Sequence, residues 1–495
     1  MKRRRPDADD ASSRVGRARL TWLAVSALVV LSVISMVQLL RVHRFDPSTS
    51  AEATRLVATS SAKSPYAAIA DRDVRPEPPV PSLGGAGYQF TDPVFRSRML
   101  RITDANTRPD TVGRSWGSPA SPETSAWNTT STRFFVTGDG GEQIPFDFDP
   151  RGMTASRTGN RRNPAGGLVL GFGGEPSFSF LDPDVIYGLQ GADPHKIVQY
   201  RFASGEERVV HDIASCLPGI ASRGAGISVA ADDQRLLTYV GGDVQDLDTH
   251  VYVYDRARGC RWLNAETGQV GGEWGPPGTY EGDHGWTIHN ARMAKNGKWA
   301  KITAGSGSRV GVYFWNIDTL TVIPCPVGRP TRCSGHMVMG FDHVINHRGV
   351  TDGMQVAIRP LEDLKSVRPL IVPELRPSRF VIEIHPTWNN VRPDETQPVC
   401  TEVYRTDGRV ERAWDGEIIC IETDGLASTV WRFAHHRSQV ASFGDQPRAN
   451  VSQDGRFVLF TSNWEQTLGR GPDGPRHDAF LVELTPAAAP LSTRR

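Results

Sequence analysis

The distribution of apolar residues divides the chain into distinct parts. Residues 20–40 form one mostly apolar run without a charged side chain. A helix of this length can cross the ~30 Å hydrocarbon core of a bilayer, so we predict a transmembrane helix there. Residues 41–85 are small, polar and Pro-rich, which predicts a flexible linker. Residues 86–487 alternate short apolar runs with Gly, Asn and Asp turns, as short β-strands do, and residues 488–495 form a predicted disordered tail.

Basic residues flank the apolar run unevenly. Residues 1–19 carry Lys2, Arg3, Arg4, Arg5, Arg14, Arg17 and Arg19, whereas only Arg41 and Arg44 follow the run closely. The more basic side of a membrane segment stays in the cytoplasm, so the C-terminal domain is predicted to be periplasmic or extracellular. A cleaved signal peptide is the alternative, but its apolar region is shorter and ends at a small-residue site. We therefore predict a single-pass signal anchor.

A weak repeat runs through the strand-rich part. Each unit contains two strand pairs joined by Asp-Gly or Asn-Gly type turns, and a unit of about 50 residues with four strands is a propeller blade. Seven units begin at Ser125, Ser177, Ile227, Trp286, Met339, Ile382 and Arg448. The pattern predicts an all-β, seven-bladed β-propeller, and it disfavours paired β-sandwiches or a β-helix. The segment Phe90–Ala105 is a candidate strand that closes the ring against the last blade.

The last unit carries the clearest repeat. Ser452-Gln453-Asp454-Gly455-Arg456 links a small-polar strand to the apolar run FVLFTS. This unit resembles the repeats of TolB-like propellers and of the oligogalacturonate lyase family, and the resemblance extends over roughly residues 90–485. It implies the fold and leaves the activity open.

Charge and cysteine content indicate which partners and which cellular compartment to expect. With 56 Lys and Arg against 55 Asp and Glu, the chain has no basic excess to attract nucleic acid, and no such partner is expected. Six cysteines all follow the apolar run, which favours disulfides in an oxidising compartment. Six cysteines allow 15 pairings. The choice with the shortest separations is Cys216–Cys260, Cys325–Cys333 and Cys400–Cys420, and zinc ligation is disfavoured because no CxxC pair occurs.

Histidines concentrate in the later blades. The first strand of each blade lines the channel of a propeller, so residues near these strands converge. His284, His289, His336, His343, His385 and His436 all lie in or beside blades four to seven. Imidazoles from several strands can hold a divalent metal such as Mn or Zn and leave positions for water or substrate. Hydrogen-bonded core histidines are the alternative, and His347, next to a turn, is expected to face solvent.

The resemblance adds roles to these residues. Oligogalacturonate lyases hold manganese on histidines and a glutamine, and use a histidine with an arginine in β-elimination on a uronate. Carried over by position, His289, His343 and His385 are metal ligands, with His336 as a further candidate. His284 or His436 would be the base and Arg448 the carboxylate clamp. Gln446 is the nearest glutamine, and it is not in a matching place.

Two functions remain open. The favoured one is a membrane-anchored propeller, held through residues 20–40, whose funnel binds a glycan, peptide or envelope protein. The ligand-binding candidates are Asn290, Trp388, Asn450 and Trp464. The alternative is a metal-dependent polysaccharide (uronate) lyase or hydrolase, which requires His289, His343 and His385 to meet at one ion.

Overall fold

The computed structural model describes most of the chain beyond residue 64. The described part is residues 65–485 except 109–111, 160–166, 221–223, 242–248, 306–310, 328–332, 334, 348–355, 372–382, 406–409, 411, 426–428 and 473. The described residues form one compact unit. Within the described residues, no helix has the length and apolar character needed to cross a bilayer. The predicted span 20–40, the linker up to residue 64 and the predicted tail all lie outside these residues.

The fold is a seven-bladed β-propeller, as the repeat predicts. Two strands precede the first blade: β1 (Gln89–Thr91) and β2 (Arg98–Arg101). In blades one to six the strands pair antiparallel in chain order. Blades one and two contain β3 (Trp116–Gly117), β4 (Arg133–Gly138), β5 (Gln143–Asp149) and β6 (Thr154–Arg157), then β7 (Ser177–Phe178), β8 (Val185–Leu189), β9 (Lys196–Arg201) and β10 (Glu206–Asp212).

Blade three is the widest sheet, with six strands. Its strands are β11 (Ser228–Val229), β12 (Arg235–Val240), β13 (His250–Asp255), β14 (Gly259–Asn264), β15 (Gln269–Gly272) and β16 (Gly278–Thr279). Blade four contains β17 (Ile288–Met293), β18 (Trp299–Ala304), β19 (Val312–Asn316) and β20 (Val322–Pro324).

Blades five and six have four strands each, and blade seven shares its sheet with the N-terminal strands. Blade five contains β21 (Met337–Met339), β22 (His343–His347), β23 (Val356–Pro360) and β24 (Arg368–Pro369). Blade six contains β25 (Glu383–Ile384), β26 (Val399–Tyr404), β27 (Glu417–Ile421) and β28 (Val430–His435). Blade seven contains β29 (Asn450–Val451), β30 (Phe457–Ser462) and, after the hairpin β31 (Arg470–Gly471) and β32 (Gly474–Pro475), β33 (Asp478–Glu483).

Local sequence explains the hairpins. The Asn296-Gly297 turn joins β17 to β18, and Gly297 has a φ of 71°, a left-handed conformation that favours glycine. The strands that follow such turns are buried on both faces, because each blade packs between two neighbours. Fully buried tryptophans, among them Trp116, Trp127 and Trp315, fill the spaces of these sheets.

The ring closes between the two ends of the domain. β2 pairs with β33, with Met99 opposite Val482 and Leu100 opposite Leu481. The predicted closing strand is therefore confirmed. This pairing supplies the last blade with an additional outer strand and removes an open edge between the first and last parts of the domain.

The predicted linker is wrong in its second half, because residues 65–85 pack on blades six and seven. The hydroxyl of Tyr66 donates to the carbonyl of Gly455 at 3.0 Å. Further along, Trp464 Nε1 donates to the carbonyl of Pro81 at 3.1 Å. Composition suggested a spacer, but main-chain carbonyls and one buried aromatic ring attach this segment, which we call the strap, to the propeller.

Three disulfides confirm the predicted pairing. The Cα atoms are 6.5 Å apart in Cys216–Cys260, 5.3 Å in Cys325–Cys333 and 3.9 Å in Cys400–Cys420. The last pair lies directly across β26 and β27. All six cysteines are used, which leaves none for zinc.

Candidate functional site

A segment of blade one crosses the central channel. After β3, Pro119 and Pro122 lack the N–H groups that a strand ladder needs, and residues 118–125 leave the sheet. The carbonyl of Thr124 accepts from Asn389 Nδ2 at 2.9 Å and from Asn450 Nδ2 at 2.8 Å. These partners belong to blades six and seven. We call this segment the plug, because it joins opposite walls of the channel and closes the funnel.

Two buried ion pairs hold the plug on the side of blade four. Lys301 Nζ pairs with Glu123 of the plug. Arg292 binds Glu175 at 2.7 Å, and the backbone N–H of Ser121 donates to the same carboxylate at 3.1 Å. Burial lowers the pKa of Lys301, and the Glu123 carboxylate opposes that shift. The floor of the funnel therefore contains charges of both signs that neutralise each other.

Above the floor lies a cavity of about 510 Å³ that we call the histidine cavity. His289, Asn290, His336 and His385 line it, together with the plug and Phe443. His289 reaches it through a β-bulge, because the register of β17 against β18 shifts between Ile288 and Asn290. Bulges re-aim side chains in this way. The structure thus brings together three of the predicted histidines.

His336 has a defined tautomer. Its Nδ1 lies 2.9 Å from the carbonyl oxygen of Ile384 in blade six. A carbonyl only accepts, so Nδ1 carries the proton and Nε2 keeps its lone pair. Burial, and then the neighbouring His385 and His347, lower the pKa of His336 to about 2 and keep the ring neutral. The His336 residue is nevertheless exposed to solvent, and it lines the histidine cavity.

His385 is paired inside blade six. Its Nδ1 contacts the carboxylate of Glu402, which is fully buried on β26 and also accepts from the N–H of Ala449 at 2.7 Å. Burial raises the pKa of Glu402 to about 8 and lowers that of His385 to about 3. The pair therefore carries no net charge near neutral pH and shares a proton between Oε1 and Nδ1. Nε2 is the ring nitrogen left over for other contacts.

A second cavity of about 510 Å³, the arginine cavity, lies between blades one and seven. Ser118, Arg448 and His477 are part of its wall. Ala120 and Phe443 line both cavities, so the two are neighbours in one funnel. The ring of Phe443 is 63% exposed.

Arg448 is the most unusual charge in the funnel. It is only 6% exposed, and within the described residues no carboxylate lies within 4 Å of its guanidinium. Its Nε is buried without a hydrogen-bond partner among those residues, and the guanidinium lies 4.9 Å from the centre of the Phe443 ring. Burial lowers its pKa, but an arginine stays charged in proteins. Among the described residues, the wall of the arginine cavity thus holds a cation with no carboxylate in direct contact, although Glu175, Glu402 and Asp445 act on its charge from a greater distance.

The other predicted catalytic and metal residues do not join these cavities. His343 lies at the opposite end of β22 from His347, and its Nδ1 is 2.5 Å from Glu395. His284 Nδ1 is 3.0 Å from the carbonyl of Glu266, and His436 is fully buried with Nε2 3.1 Å from the carbonyl of Val403. The ligand set implied by the resemblance, His289 with His343 and His385, therefore does not fit one ion.

The burial of two tryptophans contradicts the prediction that they bind a ligand. Trp388 and Trp464 are almost fully buried, and each donates Nε1 to a backbone carbonyl, of Gln397 and Pro81 respectively. They are packing residues and present no face to a ligand. Asn450 is also buried and holds the plug, whereas Asn290 does line the histidine cavity.

Sequence reasoning missed four residues of the site. His347, expected at the surface, is buried beside His336, and Glu383 lies next to both. Glu402 and Phe443 were not considered. Glu383 begins β25 and His385 directly follows that strand, and this spacing was the available signal, because residues i and i+2 of an extended chain share a face.

Comparison with known proteins finds only distant structural similarities. No family model and no curated protein matches the chain. Among solved structures, the chain is similar to an oligogalacturonate lyase from Vibrio parahaemolyticus, at 13% identity and a TM-score of 0.49, over 82% of this chain and 97% of that one. It is also similar to TolB from Acinetobacter baumannii, at 12% identity and a TM-score of 0.32, over 65% and 63% of the two chains. Both TM-scores lie below 0.5, so neither similarity carries an argument about this chain.

Proposed function

We propose that this protein binds an acidic glycan in its funnel, with a carboxylate of the glycan held by Arg448. One observation carries the proposal: a buried guanidinium on a cavity wall without a carboxylate in contact range among the described residues. Leaving a buried charge uncompensated costs several kcal/mol, and an arginine cannot avoid this cost by losing its proton. A bound anion would remove the cost.

The walls of the arginine cavity suit a sugar acid. Small polar residues, among them Ser115 and Thr137, line it, and Thr137 Oγ1 has no hydrogen-bond partner among the described residues. The exposed ring of Phe443 offers an apolar face beside the guanidinium. A volume of about 510 Å³ admits a small saccharide and excludes a folded protein domain.

A location outside the cytoplasm supports a glycan of the cell envelope as the ligand. Three disulfides are typical of a domain that folds in an oxidising compartment outside the cytoplasm. We propose that residues 20–40 anchor this domain to the membrane, since the apolar run and its basic flank favour that arrangement.

The test is calorimetric titration of the full-length protein in detergent micelles. The ligands are galacturonate oligomers and, as a neutral comparison, galactose oligomers of the same length. A hydrogen-bonded charge contributes about 1.5–3 kcal/mol, so R448Q should bind the acidic oligomer about 10- to 100-fold more weakly. Arg448→Lys should recover only part of the affinity, because a lysine lacks the planar fork.

The matched control is R208Q, which removes the same charge from the exposed outer strand of blade two. It should leave the affinity unchanged. Equal binding of the neutral oligomer, or full affinity in R448Q, would contradict the proposal.

Lyase activity is the second candidate, and the observation that favours it is the meeting of His289, His336 and His385 on one cavity. The same titration samples can be assayed for chain cleavage. Unsaturated products that form with the wild-type protein, and not with His385→Ala, would favour the enzyme over a binding module.

A further inference from the structure

A cluster at the edge of the histidine cavity combines three metal-binding side chains. His336, His347 and Glu383 each offer one ligand atom, and these atoms lie within 4.8 Å of one another. His347 Nε2 is 3.5 Å from an oxygen of Glu383. We infer that this triad is a binding site for a single Zn²⁺-like divalent transition metal. The inference does not rest on the anion site at Arg448.

The fold brings the triad together from two adjacent blades. His336 precedes β21 and His347 ends β22, and the pairing of Met337 with Asn346 places the two histidines opposite each other in one hairpin. Their rings are 5.3 Å apart and nearly parallel. Glu383 begins β25, the first strand of the next blade. Ligands on the ends of paired strands are held more firmly than ligands on a loop.

Backbone partners orient both rings for a metal. The carbonyl of Ile384 takes the Nδ1 proton of His336, which leaves the Nε2 lone pair for an ion. His347 Nδ1 lies 3.0 Å from the N–H and 3.3 Å from the carbonyl oxygen of His336. Nδ1 accepts the backbone N–H of His336, and this bond turns Nε2 of His347 toward Glu383. A metal bound at Nε2 would move the ring proton to Nδ1, where the carbonyl oxygen of His336 is the available acceptor. Such a hydrogen bond behind each imidazole is the usual support of a metal ligand.

The ligand set selects the type of ion. Two imidazoles and one carboxylate suit zinc and related first-row ions, and hard calcium or magnesium prefers oxygen ligands only. Three protein ligands leave one position of a tetrahedral ion for water or for a ligand group. His336 lines the histidine cavity, so this position would be reached from the funnel.

The test uses the full-length chain without a polyhistidine tag, in detergent micelles, after treatment with a chelator and its removal. Titration with Zn²⁺ should show one site per chain, and Co²⁺ should give the visible absorption of a low-symmetry site. Loss of a ligand should weaken Zn²⁺ binding at least about 100-fold, since loss of a supporting hydrogen bond alone costs 10- to 100-fold. The test variants are His347→Gln and Glu383→Gln.

His343→Gln is the matched control, because it removes a histidine from the other end of β22 and should leave Zn²⁺ binding unchanged. Melting temperature and circular dichroism report folding, and Glu383→Gln, at a partly exposed position, decides the matter if His347→Gln misfolds. Absence of a one-to-one site in the wild-type chain, or equal Zn²⁺ affinity in the two ligand variants and the control, would overturn the inference.

Discussion

The strap offers a direct test of how the N-terminal part of the domain is held. Tyr66 is buried against the edges of Trp431 and Phe433, with ring centres 5.5 Å and 5.1 Å away, and its hydroxyl reaches the carbonyl of Gly455 in blade seven. Replacing it with alanine removes an aromatic ring from a packed site and leaves a cavity. Such truncations cost about 3–5 kcal/mol of the free energy of unfolding.

The expected change in melting temperature follows from the size of the domain. At about 2.1 cal/mol/K per residue, a domain of roughly 430 residues has an unfolding entropy of about 0.9 kcal/mol/K. Tyr66→Ala should therefore lower the melting temperature by about 3–5 °C. Tyr66→Phe removes only the hydrogen bond, worth about 1 kcal/mol, and should lower it by about 1 °C.

The assay is differential scanning fluorimetry or calorimetry of the full-length protein under one buffer condition. Tyr88→Ala is the matched control, because Tyr88 is 41% exposed and contacts mainly Phe90. Its loss should shift the melting temperature by less than about 1 °C. If Tyr66→Ala shifts it no more than this control, the strap is the unattached spacer that its composition suggests, and the packing argument is refuted.

Two further predictions concern pH and the membrane. Burial lowers the pKa of His436 to about 4, below the ~6.5 of an unfolded histidine, so the unfolded chain binds more protons between these values. Stability should fall as the pH drops from about 6.5 to about 4. His436→Gln should reduce this pH-dependent loss of melting temperature. If the variant shows the same pH profile as the wild-type protein, His436 is not the cause. A soluble reporter fused after residues 1–62 should sediment with membranes and resist carbonate extraction, and recovery in the supernatant would contradict the predicted anchor.

The fold was predictable because its signals are local. Each blade repeats a strand, a Gly-containing turn and a second strand, and the Ser452–Arg456 turn shows this unit most clearly. The closing strand followed from the need to cover an edge. The disulfides followed from short separations, and Cys400–Cys420 simply joins paired strands.

The site was harder to predict because its contacts are long-range. Glu123 and Lys301 are 178 residues apart and meet only because the plug leaves its sheet. His343 and His347 lie four residues apart on one strand, yet only His347 belongs to the triad. The pairing register of the hairpin places His347, and not His343, opposite His336. A histidine count cannot reveal that register.

The prediction of a flexible linker at the strap was wrong for a different reason. Its composition is that of an unstructured linker, and the prediction treated low apolar content as lack of attachment. Extended Pro-rich chain nevertheless has carbonyl groups free to accept hydrogen bonds, and buried side chains of the propeller donate to them. Arg437, for example, donates to the carbonyl of Pro78 at 3.0 Å. Low apolar content therefore does not prevent attachment, because main-chain carbonyls of the strap and its Tyr66 and Asp71 side chains all contact the propeller.

The two cavities are connected through a short chain of contacts in blades six and seven. His385 lines the histidine cavity and pairs with Glu402, which in turn accepts from the N–H of Ala449, the residue after Arg448. Burial is the largest cause of the lowered pKa of His385, and the positive charge of Arg448 is the second. The same charge acts against the rise in the pKa of Glu402. An anion bound to Arg448 would offset that charge, so both pKa values would rise and the pair would hold its protons more firmly. The arginine cavity and the histidine cavity are therefore coupled electrostatically, through Glu402 and His385.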